Sequence, residues 1–131
     1  MTWMLATNVC AAYLNGADLA VRERLLALPP SQVLLCSVVK AELHFGARKS
    51  KRVDANLAQL AKIFAAIESA PFDDIAAEHY GLLRAHLEAI GTPIGANDMM
   101  IAATALAVGA TLVTRNQREF LRVSGLPVES W

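Results

Sequence analysis

"MLATNVC", residues 4–10, decides the fold. Trp3-Met4-Leu5 is a short apolar run, and a helical pattern begins directly after it at Thr7 and Asn8. A buried strand that runs straight into a helix is the β-α junction of a parallel sheet. The turn between the two lies at the carboxyl edge of the strand, where sites are usually built. A polar or acidic group is expected at that tip. Position 6 holds Ala6, a methyl group, followed by Thr7 and Asn8.

Outward from that junction, two further apolar runs match the first: Val33-Leu34-Leu35-Cys36 and Thr111-Leu112-Val113. None alternates in polarity, so all three are expected to be covered on both faces, as in a parallel sheet. Helical spacing fills the intervals. Asp18 opens a helix carrying Leu19, Val21, Leu25, Leu26 and Leu28, stopped by Pro29-Pro30. Ser37 is a candidate N-cap for a helix through Ala47, and Val53 to Ile67 repeats apolar residues at helical intervals. Asp73 caps the longest predicted helix, with Gly91 as its stop. A loop, Thr92 to Gly95, leads to a nearly all-apolar helix from about Asp98 to Val108 that must be buried on most sides. A short helix near Gln117 to Phe120 and a last strand near Val128 complete the pattern. Strands alternating with helices predict an α/β fold with a mainly parallel sheet.

The 131 residues suit one domain over 1–131. Apolar residues make up 55% and charged ones 18%, which excludes a disordered chain. The formal net charge is zero, so attraction to nucleic acid must come from a local patch. The start MTWMLATNVC lacks a basic region followed by a long apolar stretch, and no signal peptide is expected. The run Met99 to Leu112 is too short to span a bilayer. Cys10 and Cys36 sit in apolar surroundings without zinc spacing, as small core residues of a reduced, cytoplasmic protein. A disulfide between them is the lesser alternative.

Four polar segments should gather at the carboxyl edge: Ala6-Thr7-Asn8, Glu42 about one turn into its helix, Asp98, and Thr114-Arg115-Asn116. Glu42 has mostly apolar neighbours, and a carboxylate there is costly unless paired or metal-bound. Taken alone, Glu42 reads as a salt bridge with Lys40 or Arg48, and Asp98 as an N-cap. Together at one edge they read as a divalent-metal site, since Mg²⁺ and Mn²⁺ select carboxylate oxygens.

The segments "ATNV", "SVVKAELHFGARKS", "GTPIGANDMMIAATALA", "TLVTRNQREF" and the ending "GLPVESW" resemble, over nearly the whole chain, the PIN-domain ribonucleases and among them the VapC toxins of bacterial toxin–antitoxin pairs. The resemblance implies a PIN-like α/β fold and a Mg²⁺- or Mn²⁺-dependent endoribonuclease that cuts tRNA, rRNA or mRNA. "GTPIG" and "VESW" tilt the reading toward the enteric-type members and tRNA. It gives metal-binding or catalytic roles to Glu42 and Asp98, and the fourth site position to Asn116. It makes Asn8 and Thr114 pocket-shaping residues and Glu119 a frequent acidic neighbour. The family pattern begins Asp-Thr-Asn, where this chain reads Ala6-Thr7-Asn8. That departure removes a metal ligand, so weak metal binding and little or no turnover are expected. RNA and antitoxin binding should persist. The lone departure fits an engineered inactive variant better than a natural pseudoenzyme, because every other site position is intact. The implied partners are a cognate VapB-type antitoxin, RNA, a second copy of the chain, and DNA only through the antitoxin, with no membrane.

The run Arg48-Lys49-Ser50-Lys51-Arg52 could grip RNA phosphates or form a solvated loop. Arg115, Arg118 and Arg122 are candidates for phosphate or an antitoxin's acidic tail, with ordinary surface charge as the rival. His44, His79 and His86 share no metal spacing and read as structural or surface residues. Trp3 and Trp131 read as packing groups, and the apolar residues of Leu57 to Ile67 and Ile75 to Ile90 as core or dimer contact. The rivals to a nuclease are a non-catalytic RNA- or antitoxin-binding module, a DNA-directed PIN nuclease, and an unrelated α/β fold in which Glu42 and Asp98 lie apart.

Overall fold

A computed structural model describes residues 1–16 and 18–131. The apolar runs form strands where expected: β1 (Trp3–Leu5), β2 (Val33–Cys36) and β4 (Thr111–Val113). Two short strands join them, β3 (Glu68–Ala70) and β5 (Val128–Glu129). The sheet order is β3-β2-β1-β4-β5 and every pairing is parallel. Among the described residues the helices flanking it are α1 (Thr7–Leu14), α2 (Leu19–Leu26), α3 (Ser37–Lys49), α4 (Val53–Ala66), α5 (Asp74–Ala89), α6 (Ala96–Val108) and α7 (Gln117–Phe120). The α/β reading with a parallel sheet therefore holds.

Met4, Leu5, Leu35, Leu112 and Val113 are fully buried in the sheet. They meet Val9, Val39, Leu60, Leu87 and Ile101 from the helices in one core. The central strands need apolar residues at successive positions because helices cover the sheet. α6 is enclosed as its composition demands, with Met99 and Ile101 to Ala105 buried. Its one buried hydroxyl, Thr104 Oγ1, donates to the Met100 carbonyl at 2.8 Å, so the apolar surroundings leave no unpaired polar atom there. Gly109 stops the helix with φ +69°, a left-handed conformation that disfavours any side chain.

Several boundaries differ from the sequence reading. Asp18 and Asp73 cap their helices, accepting from the Val21 and Ala76 amides at 3.1 and 3.0 Å. Ser37 is not a cap. Cys36 occupies the N-cap position of α3 and the strand runs into the helix without a spacer. Asp98 is also no cap, because α6 begins two residues earlier and Gly95 is its N-cap. β3 had no expected counterpart: Glu68 and Ser69 are exposed at the sheet's edge, so the segment has little apolar pattern to reveal it. Cys10 and Cys36 are free and buried, with no disulfide, and burial pushes the Cys10 thiol up to about 12. No described helix is long and apolar enough to cross a membrane.

Candidate active site

The strand order dictates where a site can form. After β1 the chain moves to β2 and β3 on one side, then returns to β4 and β5 on the other. The connections part between β1 and β4, and ligands bind at the carboxyl ends of strands at such a switch point. Ala6 sits there. Its amide donates to the Val113 carbonyl at 2.8 Å, extending the β1–β4 ladder by one residue. It is also the N-cap of α1, offers no side-chain cap, and is buried.

Thr7 opens α1 and its hydroxyl donates to Glu42 Oε1 at 2.7 Å. Glu42 is half-buried and makes no ion pair among the described residues, so neither Lys40 nor Arg48 is its partner. Its negative charge is held by a neutral hydroxyl. Asn8 Oδ1 accepts the Arg115 amide at 3.2 Å, which ties the turn after β1 to the turn after β4. Thr114 is fully buried, and its Oγ1 accepts the Asn116 amide at 3.0 Å, which turns the chain into α7. Asn116 is exposed at the N-cap of α7 without a side-chain cap bond.

Asp98 stands in the first turn of α6, half-buried. Its carboxyl is pushed up to about 6, first by burial, then by a hydrogen bond with Glu119 and that residue's charge, then by the charge of Glu42. Glu42, Asp98 and Glu119, from three different helices, thus sense one another at one edge. An unrelated α/β fold with Glu42 and Asp98 apart does not match this arrangement. The sequence reading gave Thr7 no role of its own and left Glu119 ill-defined. The threonine was visible inside "ATN", but nothing in the sequence says that its hydroxyl meets a carboxylate thirty-five residues away.

The donor set suits a hard divalent cation in kind, being carboxylates with uncompensated charge. It falls short in number. Among the described residues no three of His, Cys, Asp or Glu stand together as a metal cage. The methyl of Ala6 occupies the strand tip between the segments that carry the acids. His79 and His86 lie elsewhere, along one hollow bounded by α5 and the segment after α7. Of the arginines, Arg115 pairs with Asp18, Arg122 donates to the Pro93 carbonyl at 3.2 Å, and Arg118 is exposed.

Residues 4–126 match the model of the PIN domain. Over its full length the chain is 39% identical to the tRNA(fMet)-specific endonuclease VapC of Shigella flexneri, 98% of which is covered. It is 36% identical to ribonuclease VapC2 of Rickettsia felis, again over the whole chain and 98% of that protein. In structure it superposes with a TM-score of 0.94 on a chain of the DNA-bound VapBC of Salmonella typhimurium, at 37% identity, covering all of this chain and 98% of the other. With the PIN model matched over residues 4–126 and the sequence and structural likeness to VapC proteins running from end to end, the chain belongs to the PIN-domain family, among its VapC ribonucleases.

Proposed function

We propose that this chain is the toxin of a VapBC-type pair, built as a Mg²⁺- or Mn²⁺-dependent endoribonuclease and disarmed by Ala6. The observation that supports the reading is the influence of Glu119 and Glu42 on Asp98, with Glu42 held by the hydroxyl of Thr7 next to Ala6. Glu42 and Asp98 are the carboxylates that would hold the metal, with Asn116 and Glu119 beside them. Bound there, the metal would supply a Lewis acid that activates water and offsets charge on the phosphate. Thr7 orients Glu42 by a hydrogen bond. Asn8 and Thr114 fix the two turns that frame the cleft. With alanine at position 6 only two charged ligands remain, so metal affinity and turnover fall while the fold persists.

The naming of its Shigella relative for tRNA(fMet) favours tRNA as the substrate class. A VapB-type antitoxin is the protein partner, and DNA is reached through it, as in the Salmonella VapBC complex bound to DNA. An apolar groove of about 710 Å³ between α2 and α4, lined by Leu14, Leu25, Leu28 and Ile63, gives that partner a seat. Leu14, Asn15 and Gln59 also line the adjoining hollow that reaches Thr7 and Glu42. A segment seated in the groove could therefore cover the site. A second copy fits the exposed Ile75 and Leu82 of α5. The toxin acts in the cytoplasm, where its RNA is.

The test compares this chain with Ala6→Asp on total cellular RNA, with and without Mn²⁺, mapping the products. Cleavage by the substituted form alone, and only with metal, is expected. If neither form cuts while both are folded and metal-loaded, the chain is a binding module of the PIN fold.

A further inference from the structure

Residues three and four apart on a helix lie above one another. Val38, Glu42, Phe45 and Lys49 therefore share one strip of α3, beside the strip of Val39, Leu43 and Ala47 that enters the core. Glu42 is the site carboxylate. Phe45, one turn beyond it, is 67% exposed although it is among the largest apolar side chains of the chain. The Lys49 ammonium lies over its ring, 5.8 Å from the centroid. Arg48, Lys51 and Arg52 follow, all exposed, and among the described residues none of these four cations makes an ion pair. The aromatic on the other side of α3 is already occupied: Phe64 of α4 packs on His44 at 5.3 Å and under Lys40 at 4.8 Å. Among the described residues Phe45 stacks on no other ring, and Lys49 is the one cation over it.

An exposed aromatic ring with a lysine over one face, followed by a train of further cations, is the combination that binds single-stranded nucleic acid. Bases stack on the ring and phosphates follow the charges. An acidic peptide would use the cations and leave the ring idle. A second copy meeting this face symmetrically would bring four cations against their own images.

We propose that Phe45 is a stacking platform for an unpaired nucleobase next to the phosphate presented to Glu42 and Asp98, with Lys49 on the adjoining phosphate. The assignment rests on the ribonuclease reading above. It makes recognition depend on an unpaired base within one helical turn of the cutting site, which a fully paired duplex cannot supply.

The experiment measures binding by this Ala6 chain, so that no probe is cut, using fluorescein-labelled tRNA(fMet) transcript and a fully paired RNA duplex. Phe45→Ala should weaken tRNA binding about fivefold or more and leave duplex binding unchanged. Phe45→Tyr should bind tRNA as the parent does. Lys49→Ala should weaken both probes and lower the salt slope by about 0.7 to 0.9. Equal tRNA affinity for Phe45→Ala and parent overturns the platform. If Ala6→Asp still cuts RNA in that case, the ribonuclease reading stands without it. A Phe45→Ala variant that changes only the sedimentation of the protein also overturns it and assigns the ring to a second copy. No RNA binding by the parent, together with no cleavage by Ala6→Asp, removes both readings.

Discussion

Glu42 and Asp98 are the same kind of group at the same edge, yet the fold treats them differently. Glu42 comes from the helix after β2 and receives the hydroxyl of Thr7. Asp98 comes from the helix before β4 and meets another carboxylate, Glu119, without a cation between them. One acid is held by a neutral donor. The other is crowded by like charge and pushed up to about 6. The comparison puts the less neutralised acid on α6, where Asp98 meets Glu119 of α7. Under the proposed reading these acids would hold a cation, and a carboxylate at position 6 would raise its affinity.

The largest test of that asymmetry is Ala6→Asp. A third charged ligand should raise RNA cleavage in Mn²⁺ by about a hundredfold or more, since metal-assisted charge stabilisation is worth several kcal/mol. The same substitution should lower the thermal midpoint of the metal-free protein, because it adds a negative charge to a crowded edge, and Mn²⁺ should restore it.

Next in size is Thr7→Val, which keeps the shape and removes the donor to Glu42. Hydrogen bonds to charged groups are worth about 1.5–3 kcal/mol, and the half-buried setting places the expected loss near the lower figure. Denaturant unfolding reads it. If Glu42→Gln in the Thr7→Val background recovers no stability, the charge of Glu42 is not what the hydroxyl balances.

A smaller effect follows from Asp98. Burial and the neighbouring carboxylates push its carboxyl up to about 6 in the fold, above the ordinary 3.8 expected when unfolded. Between those values the folded state holds the proton more tightly, so the fold gains stability at low pH and loses it as pH rises through 6. After solvent screening the loss is on the order of 1 kcal/mol, read as a drop in the midpoint of the metal-free protein between pH 4 and 7. Asp98→Asn should flatten that slope, and Glu42→Gln should flatten it less, because Glu42 is the smallest of the causes. The smallest effect belongs to Arg115→Ala. It breaks the ion pair with Asp18, a partly exposed contact worth about 0.5 kcal/mol, while the Arg115 amide still donates to Asn8.

Much of this was legible in the residues. β1, β2 and β4 were readable because a strand covered on both faces needs continuous apolar side chains, and Trp3–Leu5, Val33–Cys36 and Thr111–Val113 have them. α6 was readable for the same reason, since only a buried helix tolerates Met99 to Val108 with so little polarity. β3 was not, because Glu68-Ser69 is exposed and its pairing with Leu34 and Leu35 is a long-range backbone contact. Ser37 misled as a cap, and the cap alternative for Asp98 failed, because cap chemistry is local, whereas the helix start was set by the strand or loop that feeds it.

The sequence by itself determined the class of fold and the family, since each depends on residue types in order. Only the tertiary structure decided which acid has a partner. The Thr7–Glu42 bond spans two helices, and the crowding of Asp98 by Glu119 depends on α6 and α7 meeting beside β4. A carboxylate's proton affinity is fixed by its burial and by the charges within a few ångströms, and those neighbours come from distant points of the chain.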